Sequence, residues 1–82
     1  MTITKGEKAI QKKIAQLKLA LHESDLMVAS QQITEEQAVE EAKKTLAILG
    51  LTFEAIVVLA QDRNYHIPGY WIARRLRNNW EN

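Results

Sequence analysis

The sequence predicts an all-α fold, a compact small bundle of about four helices, and three observations carry that prediction. Apolar residues recur at steps of three and four, the period of a helix with one buried face. One proline and three glycines punctuate the whole chain, and they stand where helices would begin or end. The one segment rich enough in Val and Ile to suggest a strand, residues 55–60, has no second strand to pair with. If the first two helices merge, the count falls to three. A chain of 82 residues makes one domain, residues 1–82, and is too short for two.

The first helix is expected over residues 6–31. Ile10, Ile14, Leu17, Leu21 and Val28 form one apolar stripe, with Lys5, Lys8 and Lys12 opposite. Ala15, Leu19 and Leu26 make a further apolar stripe about 160° from the first. A helix apolar on two sides needs two neighbours, so Leu19 and Leu26 are candidates for self-association. The run His22-Glu23-Ser24-Asp25 is a place where this helix can kink or divide.

The second helix has an explicit start. Thr34-Glu35-Glu36-Gln37 matches a capping box, and Ile33 is placed to staple against Ala38. Glu35, Glu36, Glu40 and Glu41 precede Lys43 and Lys44, the order that complements the helix dipole. Ala38, Val39, Ala42, Leu46 and Leu49 form its buried stripe, and Gly50 closes it. Thr52 can cap a third helix over residues 53–61, apolar nearly all round and therefore central and buried. A loop over residues 62–67 follows, and Pro68 suits the first position of a fourth helix. There Ile72, Ala73, Leu76 and Trp80 share an inward arc, which leaves Tyr70, Trp71, Arg74, Arg75, Arg77 and Asn78 outward.

Composition narrows the function classes. Apolar residues at 46% and charged ones at 26% are ordinary for a globular domain and not for a disordered chain. No apolar run approaches the roughly 18 residues that span a membrane, and the N-terminal sequence has no long apolar segment of signal-peptide type. The absence of cysteine excludes disulfides and zinc–thiolate sites and fits a reducing cytoplasm. Net charge is +1, unevenly spread: seven Lys against eight acids up to residue 61, then four Arg against two acids. Lysine suits a solvated surface, whereas arginine suits bidentate, stacked or desolvated contacts. The C-terminal end therefore reads as the contact end.

No catalytic constellation is legible. His22 and His66 are far apart in sequence, and His22 with Asp25 gives only two ligands on a helix, so His22 reads as a surface residue. A glycine-rich phosphate loop and a nucleophile elbow are both lacking. The expectation is a protein that is not an enzyme and needs no cofactor or metal. Two aromatics and three arginines on the outward face of the fourth helix match the composition of binding hot spots. The expected function is a small regulatory, adaptor or inhibitor protein that binds another protein through Tyr70, Trp71, Arg74, Arg75, Arg77 and Asn78. The competing interpretation of that face is internal: Trp71 and Tyr70 packed on the loop or first helix, with arginines paired to second-helix glutamates. Two alternatives belong to other classes. A helix-turn-helix-like DNA-binding regulator would use the same helix, although the connection before it is long for that motif. A structural subunit of a larger assembly would depend instead on the Leu19/Leu26 stripe.

Overall fold

A computed structural model of the chain describes residues 5–80, with side chains from residue 8 onward. The side chain of Lys5, first of the expected lysine stripe, lies outside the described residues. Four α-helices follow in order: α1 (Lys5–Ala29), α2 (Glu35–Leu49), α3 (Phe53–Leu59) and α4 (Tyr70–Asn78). A 3-10 turn at Asp62–Asn64 interrupts the last connection, and the described residues contain no strand. None of these helices is long and apolar enough to cross a membrane.

The 25 residues of α1 run unbroken through His22-Glu23-Ser24-Asp25, so that sequence does not divide the helix. At 1.5 Å per residue α1 is about 37 Å long, and it accounts for most of the 44 Å long axis of the molecule. The radius of gyration, 12.8 Å, slightly exceeds the roughly 12 Å of a compact chain this size. Two turns of backbone hydrogen bonding close α1. The Gln32 amide donates to the Met27 carbonyl at 2.8 Å and the Gln31 amide to that of Val28 at 3.0 Å. That pattern needs a left-handed residue, and Gln31 takes the part with φ of 64°.

The predicted caps of α2 are present. The Gln37 amide donates to Thr34 Oγ1 at 3.1 Å, and the Thr34 amide to Gln37 Oε1 at 2.8 Å. At the other end Gly50 is left-handed, and the Leu51 amide reaches back to the Leu46 carbonyl at 3.0 Å. Thr52 occupies the N-cap position of α3 but makes no side-chain cap bond.

The core is wholly apolar: among the described residues no polar or charged side chain is fully buried. Leu17 and Leu21 of α1 meet Ala38, Ala42 and Leu46 of α2, and Ile72, Ala73 and Leu76 of α4 close the layer. The alanines let the backbones approach closely. Ile14 and Val28 are half-buried, while Ile10, further out on the same stripe, is exposed and borders a hollow with Thr52, Glu54 and Val58. Helix α3 adds Ala55, Ile56 and Leu59, with Ala60 just beyond it. It is buried on one face and not all round, because it packs chiefly on α4 and leaves Val57 and Val58 partly exposed.

Pro68 does not open α4 as expected. It occupies the second position of a turn from Ile67 to Tyr70, in which the Tyr70 amide donates to the Ile67 carbonyl at 3.1 Å. Gly69 follows with φ of 78° and ψ of 10°, the dihedrals of the third residue of a type II turn. The position has a second constraint. A Cβ on Gly69 would lie 2.6 Å from the Leu21 carbonyl oxygen, so the start of α4 rests directly on the backbone of α1.

Candidate binding surface on the fourth helix

The six outward residues of α4 divide into three groups. Tyr70 and Arg77 converge on one atom, the Ala60 carbonyl oxygen at the end of α3. The Tyr70 hydroxyl donates to it at 3.2 Å and an Arg77 guanidinium N–H at 3.0 Å. A helix leaves its last carbonyls unpaired and partially negative, so a phenol and a guanidinium there cap α3 from its neighbour. The Tyr70 hydroxyl also lies 3.4 Å from Asp62 Oδ1.

Trp71 and Arg75 turn toward α1 and α2. Trp71 Nε1 donates to Asp25 Oδ1 at 2.6 Å, a short bond to a carboxyl oxygen. Arg75 donates to Glu35 Oε1 at 3.2 Å, and its guanidinium carbon lies 5.9 Å from the Trp71 ring centre. These groups, with Val28 and Ala29, line a shallow hollow of about 360 Å³. Both side chains are half-buried. Arg74 and Asn78, by contrast, are exposed. Of the six residues, these two project into solvent, and the other four make contacts within the chain.

The lower end of the helix is organised by a second aromatic contact. The rings of Trp80 and Phe53 lie 5.2 Å apart with planes inclined by 34°, and Lys43 Nζ is 6.0 Å from the Trp80 ring centre.

Comparison with known protein families, curated proteins and solved structures finds no match to this chain.

Two further features bear on function. Leu19 and Leu26, the candidate self-association pair, are 58% and 54% exposed. A groove of about 610 Å³ runs between α1 and α2, lined by Met27 and Ile33 and by four carboxylates, Glu23, Glu36, Glu40 and Glu41, against one cation, Lys44. Sequence spacing groups Glu36 and Glu40 but gives no sign that Glu23 joins them, because it arrives from another helix. His22 departs from the surface role expected of it. It is half-buried, and its Nδ1 is buried without a hydrogen-bond partner. Among the described residues, no group of three or more His, Asp or Glu side chains is arranged to hold a metal ion.

Proposed function

We propose that this chain is a non-catalytic regulatory, adaptor or inhibitor protein that acts by binding another protein through the outer side of α4. The observation that carries this reading is the Asp25–Trp71–Arg75–Glu35 arrangement beside exposed Arg74 and Asn78. Ordering flexible side chains on binding costs about 0.5–1.5 kcal/mol each. Trp71 and Arg75 are already held by their intramolecular bonds, so much of that cost falls on folding and not on association. Arg74 and Asn78 add donors that a partner can reach.

Charge balance favours a protein partner over duplex DNA. Arg75 pairs with Glu35 beside Asp25, and Arg77 stands with Tyr70 and Asp62 at the end of α3, so two of the three arginines have carboxylates close by. A face so nearly neutral gains little from counterion release, the main source of non-specific DNA affinity. The connection from α3 to α4, residues 60–69, is also longer than the three or four residues of a helix-turn-helix.

The test is affinity capture from a nuclease-treated lysate of the host cell, with wild-type protein beside an Arg74→Glu, Asn78→Lys variant. A protein retained by the wild type and lost by the variant is the expected result. Equal retention by both, or none, removes α4 as the binding surface. In parallel, a mixed-sequence duplex is titrated at low and physiological salt. Tight, salt-steep binding would replace this reading with a nucleic-acid one.

A further inference from the structure

We infer that the outer face of α1 binds a second copy of this chain, in an antiparallel pair that places the lysines of each copy at the acidic groove of the other. Ala15, Leu19, His22, Leu26 and Ala29 follow one another at steps of four, three, four and three, the 3.5-residue spacing of a helix-pairing seam. They lie on the side of α1 turned away from buried Leu17 and Leu21, and every one except His22 is exposed. Lys8 and Lys12 continue the line toward the N-terminus, and both are exposed.

The pattern is self-complementary in one direction only. In an antiparallel pair centred between Leu19 and His22, Leu26 meets Ala15 of the second copy and Leu19 meets its His22. A large aliphatic side chain thus faces a small or flat one in each layer, and two-fold symmetry repeats each contact. Lys12 of the second copy then lies opposite Ala29, and its Lys8 lies beyond that. The groove that Glu23, Glu36 and Glu40 line extends to Met27, two residues before this level, and Ala29 itself borders the hollow that holds Asp25 and Glu35. A parallel pair would instead stack Lys8 on Lys8 and Lys12 on Lys12, which is repulsive, and leave both acidic rims facing solvent. Charge therefore selects a second, inverted copy of this chain as the occupant.

The pairing uses no residue of α4, although Ala29 of the seam also lines the hollow beside Trp71 and Arg75. Sedimentation equilibrium of the full chain at high micromolar concentration should give twice the 9.4 kDa monomer mass. Leu19→Glu should return it to monomer with unchanged helicity, since the side chain is already exposed, whereas Arg74→Glu should remain dimeric. Lys12→Glu should weaken the dimer several-fold, and mixing it with a Glu36→Lys, Glu40→Lys chain should recover affinity. Because the chain has no cysteine, orientation can be read directly by introducing one. Ala15→Cys mixed with Leu26→Cys should form a disulfide-linked pair, and Ala15→Cys alone should not. A monomeric wild type, a dimeric Leu19→Glu variant, or cross-linking of Ala15→Cys to itself would each overturn the proposal.

Discussion

At the scale of single residues, two positions store or spend free energy measurably. Gln31 adopts a left-handed backbone at the end of α1, a conformation that costs an L-residue roughly 1–2 kcal/mol and glycine very little. Glycine loses more backbone entropy on folding, which offsets part of the gain. Gln31→Gly should therefore stabilise the protein by about 0.5–1 kcal/mol, measured as a higher urea midpoint with unchanged slope. The Trp71–Asp25 bond makes the opposite case. Hydrogen bonds to charged groups contribute about 1.5–3 kcal/mol when well formed, and partial exposure of this pair lowers the figure. A double-mutant cycle of Trp71→Phe and Asp25→Ala should show a coupling of about 1 kcal/mol. Additive single effects would mean that the 2.6 Å contact is not a stabilising one. The exposed Arg75–Glu35 ion pair should contribute less, about 0–1 kcal/mol; its consequence is to orient Arg75.

At the scale of elements, what the sequence reveals and what it hides divide along the range of the interactions involved. The capping box of α2 is legible because its partners, Thr34 and Gln37, are three residues apart and satisfy each other. Thr34→Ala removes one of those bonds and should cost about 1 kcal/mol by chemical denaturation. The closing role of Gly50 is legible for the same local reason. Pro68 misleads for a tertiary reason. Local preference allows it at the first position of a helix, but Gly69 must be left-handed and lie flat on Leu21, and that contact sets the turn. The exposure of Val57 and Val58 likewise depends on how many neighbours α3 finds, which its composition does not state. The contacts of α4 are the hardest to foresee, because Trp71 meets Asp25 across 46 residues and Arg75 meets Glu35 across 40. The internal contacts of that face are visible in the sequence only as one of two interpretations. Gly69→Ala tests the turn: a Cβ 2.6 Å from a backbone oxygen cannot be relieved by a side-chain rotation. Overpacking and the positive φ together should cost about 2–4 kcal/mol. A domain of this size has roughly 3–5 kcal/mol in total, so the variant should lose much of its helical circular dichroism signal at 25 °C.

At the scale of the whole molecule, small size makes association and stability the same question. Among the described residues, five of the twelve buried core side chains are alanines, which bring the helices close but bury little area apiece. Leu19 and Leu26 remain as apolar surface that the single chain cannot cover. The proposed pairing of α1 with its copy would cover them, and because only the folded chain presents the seam, such pairing would stabilise the fold by mass action. The sign is definite. If the chain pairs as proposed, raising the protein concentration favours the folded dimer and the melting temperature rises. A tenfold increase is worth about 1.4 kcal/mol per dimer, or about 0.7 per chain. With an unfolding entropy of roughly 2.1 cal/mol/K per residue, that converts to about 3–5 °C per decade of concentration. Calorimetric scans across two decades should show this slope for the wild type. They should show none for Leu19→Glu, whose melting temperature should match the dilute limit of the parent. A wild-type midpoint independent of concentration would mean that the folded monomer leaves this face uncovered in solution, and that its stability comes from the alanine-rich core alone.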